Sequence, residues 1–151
     1  MENQHTTVPP TALQQLEMFV GDWLVEGENL EGAPLAANTK VTGEVAYEWM
    51  PGGYFLVCDW DRKFENGAHI GMGIISYDDA TKAFSATNYD NMGFIRTYAL
   101  TNEGNVWKLD GDKERATIEF NKVDRSFTEY WEIAKEGQWL PLCRLRGVVA
   151  Q

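Results

Sequence analysis

Apolar and polar positions alternate along most of this chain, and the alternation has two different periods. After a polar start that runs to Pro9-Pro10, Leu13, Leu16 and Phe19 fall at three-residue spacing, with Met18 beside them. One apolar face at that spacing predicts a short helix. A helix so short is not stable alone in water, so it must dock on the rest of the chain. From Gly21 onward the period drops to two. Val41, Val45, Tyr47 and Trp49 share one face, with Thr42, Glu44 and Glu48 on the other. Tyr54, Leu56, Cys58 and Trp60 repeat the pattern in the next run. Strands are predicted over 22–29, 40–50, 54–63, 69–77, 83–89, 94–101, 105–109, 115–121, 126–134 and 138–149, separated by turn residues such as Pro51-Gly52-Gly53 and Asn66-Gly67. Asn-Gly supplies the positive φ that a tight hairpin needs.

The connections are too short for the helical crossovers of a parallel sheet. A hairpin-linked meander of this length removes its exposed edges by closing on itself. The predicted fold is therefore all-β: a single antiparallel up-and-down barrel of about ten strands, with the short N-terminal helix plugging one end. A two-sheet sandwich is the alternative, but it needs longer crossing connections. The predicted organisation is a flexible polar arm over 1–10 and one barrel domain over 11–151.

Composition narrows the function classes. Thirteen basic against twenty-three acidic residues give a net charge of -10 over 151 residues. That field repels phosphate backbones, and no Lys/Arg run suits an anionic membrane, so neither nucleic acid nor membrane is an expected partner. The first ten residues lack the basic-then-apolar pattern of a secretory signal. Cys58 and Cys143 are far apart, with no CxxC pair and no Cys/His metal spacing. Two buried free thiols in a reducing cytoplasm are the expectation. Aromatic residues reach 13%, which suits a β core and also stacking sites for flat molecules.

Gly21-Asp22-Trp23, placed after the helix and at the start of the first strand, resembles the Gly-X-Trp signature of lipocalins and the wider calycin barrels. The resemblance implies a Trp at the closed end of the barrel with an Arg from the final strand across its ring. Arg144 and Arg146 stand where that Arg would be, and would lock Trp23 and the closure by cation–π contact of roughly 0.5 to 2 kcal/mol. Phe19-Val-Gly-Asp-Trp23, Met50-Pro-Gly-Gly-Tyr-Phe-Leu56 and Gly71-Met-Gly-Ile-Ile-Ser-Tyr-Asp78 are similar to a mostly bacterial lipocalin-like family, domain of unknown function 1579, over nearly the whole chain. Nitrobindin barrels resemble this topology too, but they ligate haem iron through a His near the C-terminus. This chain has no His after His69, so no cofactor of that type is expected.

Candidate chemistry is sparse. His69 follows a hairpin and reads first as a rim residue, and His5 lies in the polar arm. No metal site is expected from two such distant His, and there is no Gly-X-Ser-X-Gly elbow. Asp59 alternates with Phe55 and Val57, and reads first as an outer-face carboxylate. Arg96 lies between Phe94 and Tyr98 on one strand face, and Glu129 between Phe127 and Trp131 on another. Charges within apolar faces are costly unless paired, so both are expected to point inward and pair, or to meet the polar group of a ligand; a rim salt bridge is the alternative. Trp49, Trp60, Tyr89, Tyr98 and Trp131 are expected as aromatic walls. Gly71-Met72-Gly73 reads as a bend or bulge within a strand.

These readings predict a binding protein for a small hydrophobic or aromatic molecule held in the bore. An isomerase, cyclase or hydrolase using an interior carboxylate or Tyr is the second hypothesis. An interaction protein with a filled barrel is the third. The composition also leaves room for a homodimer.

Overall fold

A computed structural model describes residues 8–150. The polar arm predicted over 1–10, with His5, lies outside the described residues as far as residue 7. Ten antiparallel strands form one closed barrel: β1 (Gly21–Asn29), β2 (Lys40–Trp49), β3 (Leu56–Phe64), β4 (Gly67–Asp78), β5 (Ala83–Asp90), β6 (Ile95–Glu103), β7 (Val106–Asp110), β8 (Glu114–Asn121), β9 (Ser126–Lys135) and β10 (Gln138–Val149). Each strand pairs with its chain neighbours, and β1 pairs with β10 from Trp23 opposite Val149 to Asn29 opposite Cys143. The ring of strands is therefore closed, and the sandwich alternative is excluded.

The predicted helix is a 3₁₀ helix over Thr11–Phe19. The three-residue spacing of Leu13, Leu16 and Phe19 matches three residues per turn, so the three side chains stack on one ridge. All three are buried, and the helix caps the barrel end where β1 begins. Phe19 meets Tyr47, Trp107 and Phe120 edge-on, with ring centroids 4.7 to 5.4 Å apart. Trp23 packs beside them against Phe127 at 5.1 Å and donates its indole N–H to the Phe19 carbonyl at 2.8 Å. This aromatic floor closes one end.

The lock on Trp23 differs from the expectation. Arg144 and Arg146 alternate with inward-facing Leu145 on β10 and therefore point outward. Arg144 pairs with Glu28 at 3.2 Å and Arg146 approaches Asp124 at 4.0 Å. Arg125, in the β8–β9 turn, lies over the Trp23 ring at 5.3 Å and donates to the Val20 carbonyl at 3.2 Å. Its own carbonyl accepts from the Val149 amide at 3.1 Å. One residue thus joins the helix end, the first strand and the last.

Most turn chemistry is as predicted: the β3–β4 hairpin turns through Glu65-Asn66, with Asn66 at φ 67°. The expected bend or bulge at Gly71-Met72-Gly73 is not formed, since β4 keeps continuous register with β3 and β5 there. These glycines instead leave room inside the barrel. A Cβ on Gly71 would stand 2.2 Å from Cζ2 of Trp60, and one on Gly73 would stand 2.1 Å from Oδ1 of Asn88. The register shift that does occur lies in β10, between Pro141 and Cys143.

Candidate functional site

Above the aromatic floor the bore is hollow. Eight strands leave just enough interior for side chains, and ten leave more. The resulting cavity holds about 530 Å³, within the range of small-molecule sites. Its deep part is apolar, with Phe19, Ile75, Leu100 and Ile118 among its walls. Its mouth lies at the opposite end and is bordered by Ala33-Pro34-Leu35 of the β1–β2 loop and by Met92 and Phe94 of the β5–β6 turn. That loop is tied to the irregular stretch of β10 through Leu30 N–H to Leu142 O and Gly32 N–H to Pro141 O, both 2.8 Å.

A belt of polar side chains lies between floor and mouth. Arg62 of β3 reaches Glu129 of β9 at 3.1 Å. Those strands are far apart around the ring, so the ion pair spans the bore. Glu129 also accepts the indole N–H of Trp131. Burial alone would weaken the charge on Arg62, but Glu129 outweighs it and raises the guanidinium above its ordinary value. On the other side, Tyr98 donates its hydroxyl to Glu114 at 3.1 Å. Burial, with Glu114 beside it, raises the Tyr98 hydroxyl far above the usual phenol range. Arg96 is the least committed member: it approaches Glu114 at 3.5 Å and lies 4.5 Å from the Phe94 ring centre. Among the described residues its remaining N–H donors have no other partner.

The third pair is His69 of β4 and Asp90 of β5, whose Nε2 and Oδ2 are 3.1 Å apart. Asp90 Oδ1 accepts the backbone N–H groups of Met92 at 2.9 Å and Phe94 at 3.1 Å. Burial would raise the Asp90 carboxyl, but the His69 bond and these two amides outweigh it and hold it below the usual carboxylate value. Burial pulls His69 below its ordinary 6.5, opposed by the Asp90 bond and helped by the charge of Arg62. The pair is therefore an ionised carboxylate holding a neutral imidazole.

Cys58 and Cys143 are buried free thiols. Burial pushes both up to about 12, so neither is a nucleophile near neutral pH. Among the described residues, no three His, Cys, Asp or Glu side chains converge as a metal ion would need. No helix among them is long and apolar enough to cross a membrane.

Of the seven residues expected at the site, Trp60, Arg96, Tyr98, Glu129 and Trp131 line the cavity. Tyr89 does not. It alternates with inward-facing Asn88 and Asp90, and stands exposed on the outer wall beside Met72 and Ile95. Trp49 has the inward phase but lies at the plugged end, below the hollow, where its indole N–H reaches Glu17 at 3.1 Å. The expected Arg96–Glu129 pairing is not made, since each finds another partner. Asp59 is exposed on the outer face of β3, and Phe55 is exposed as well. Sequence reasoning missed Arg62, Glu114 and Asp90. Arg62 and Glu114 sit at strand ends, where a charge reads as an ordinary rim residue; their even phase with Trp60 and Ala116 was the available signal.

No curated protein matches this chain. A family model described as a protein of unknown function, DUF1579, matches residues 9–145, a span that runs from the start of the plug through all but the last few residues of the final strand. The chain belongs to that family.

Proposed function

We propose that the barrel is a receptacle for a small molecule with a flat, apolar body and a polar group. The observation that carries this reading is the open hollow of about 530 Å³, apolar at depth and polar at mid-height. A barrel serving only as a surface for partners has no need of such a space, and packed interiors leave few voids larger than a water molecule. Arg96, with spare donors, would take a carbonyl or other acceptor of the guest, while Trp60, Tyr98 and Trp131 would stack on its body. The net charge of -10 supports a role apart from nucleic acid. Two buried unpaired thiols are in keeping with a reducing compartment such as the cytoplasm.

Tryptophan fluorescence tests the reading. A panel of aromatic ketones, phenols and polyenes is titrated into the protein, and native mass spectrometry is run on material taken directly from cells. Saturable quenching at one guest per chain is expected. Ala86→Phe, which fills the bore from β5, should abolish quenching while the far-ultraviolet circular dichroism stays unchanged. No response to any member of the panel, with no added mass in the cellular material, would overturn it.

A further inference from the structure

We propose that His69 and Asp90 form a proton-accepting pair acting on a molecule in the cavity, and that its substrates are uncharged carbon acids with a flat apolar body, such as enolisable ketones. The proposal rests on the receptacle reading and adds chemistry to it.

Both side chains border the hollow. Asp90 is held by two backbone amides and a carboxylate–imidazole bond, so its position is set by the β5–β6 turn rather than by its own rotamers. It commits Nε2 of His69 as the donor, which leaves Nδ1 as the ring nitrogen able to accept a proton. The imidazole is steadied by the Trp60 ring, whose centroid lies 5.6 Å away. Gly71 makes that placement of Trp60 feasible. The charged groups around His69 come from four strands. Arg62 stands directly opposite it on β3, Asp90 bonds it from β5, and Arg96 on β6 and Glu114 on β8 border the same hollow. Arg62 and burial disfavour a second proton on the ring, so the base is available at neutral pH.

The rest of the belt selects the substrate. Two guanidiniums, Arg62 and Arg96, face three carboxylates, Asp90, Glu114 and Glu129, so an anionic guest would add to an excess of negative charge. A carbonyl oxygen suits Arg96 instead. Arg96 is opposite Asn88 in the β5–β6 register and Asn88 is opposite Gly73 of β4, two strand spacings or about 10 Å across, with His69 four residues further along β4. A guest that reaches both His69 and Arg96 is therefore elongated, with more than one ring. In the step, Nδ1 takes the proton of the C–H next to the carbonyl. The C–H electron pair becomes the C–C π bond, and the carbonyl π pair moves to oxygen, where Arg96 meets the growing charge. The imidazolium then returns the proton to oxygen or to a second carbon. Nothing is oxidised or reduced, and no co-reactant is consumed.

The probe is 5-nitrobenzisoxazole, a flat carbon acid that opens to a coloured cyanophenolate when a base removes its ring C–H. Binding is followed separately by tryptophan quenching with 5-nitroindazole, which has a similar shape and no bond to break. Saturable elimination about a hundredfold faster than by free imidazole at equal concentration is expected, rising to a plateau with one inflection below pH 6.5. His69→Asn should lose that acceleration and still bind nitroindazole. Asp90→Asn should move the inflection. Equal elimination by wild type and His69→Asn, with binding intact in both, overturns the pair and leaves the receptacle standing. Failure of the wild type to bind nitroindazole overturns the pair as a base for flat carbon acids, and the receptacle falls with it only if the ketone, phenol and polyene panel is silent too. Nitrogen-15 NMR of the wild type is independent of any variant's folding. It should show His69 protonated on Nε2 alone at neutral pH, and a proton on Nδ1 there would refute the assignment.

Discussion

Removing only the charge of Glu129 should destabilise the barrel about as much as a core truncation does. Glu129→Gln keeps an oxygen for the Trp131 indole and leaves Arg62 without its counter-charge. The Glu129 side chain is 5% exposed and that of Arg62 is 18% exposed. Breaking a buried pair from one side costs about 3 to 5 kcal/mol. Arg62 borders the hollow, where water can enter and solvate it, so the lower end applies, about 3 kcal/mol. For a chain of this length each kcal/mol lowers Tm by about 2 to 4 °C, which makes the expected loss roughly 6 to 12 °C. Arg62→Met should cost a similar amount, because it strands the carboxylate. Arg62→Met combined with Glu129→Gln removes both charges and should fall within about 1 kcal/mol of wild type. Urea unfolding of the four proteins closes the cycle. Additive single effects, or a single effect under about 0.5 kcal/mol, would refute the claim that a desolvated ion pair spans the bore.

Other outcomes follow from the same geometry. Gly71→Ala puts a methyl 2.2 Å from Trp60 and 2.6 Å from the Tyr89 carbonyl; it should cost about 1 to 3 kcal/mol and shift the tryptophan emission, and an unchanged spectrum would count against the tight Trp60 packing. Arg125→Ala should cost about 1 kcal/mol through its cation–π contact with Trp23, whereas Arg144→Ala, an exposed pair, should stay under about 0.5 kcal/mol in urea. Because His69 is held below 6.5 in the fold, the unfolded chain binds its proton first as the pH falls. Stability should therefore be complete above pH 6.5 and decline below it, before the carboxylates titrate. His69→Asn should flatten that stretch of the curve, and an unaltered slope would remove the neutral buried imidazole. Cys58 and Cys143, pushed up to about 12, should react with a disulfide reagent at pH 8 only on unfolding; rapid labelling of the native protein would contradict their burial.

The barrel itself was readable from residue order because side chains on a strand alternate strictly, and because Gly, Asn and Asp mark the turns between runs. Val41, Val45 and Tyr47 on one face, or Phe127, Glu129 and Trp131 on another, required no knowledge of distant contacts. The helix period was legible in Leu13, Leu16 and Phe19, although its 3₁₀ form came from the fold. Phase along a strand, however, says nothing of height within a bore. Trp49 has the right phase and lies below the hollow, and Tyr89 faces outward on a strand whose sequence offers no strong alternation.

Partners across the bore were beyond the reach of local pattern. Arg62 meets Glu129 across 67 residues of chain and Tyr98 meets Glu114 across 16, and Arg125 rather than a final-strand Arg covers Trp23. Periodicity of two is a property of each strand's own backbone, so hairpins, closure and the inward-facing residues could be inferred one segment at a time. Which charge neutralises which, where His69 finds its carboxylate and how much space remains inside depend on the curvature and stagger that bring distant strands face to face. Those are set only when all ten strands close together.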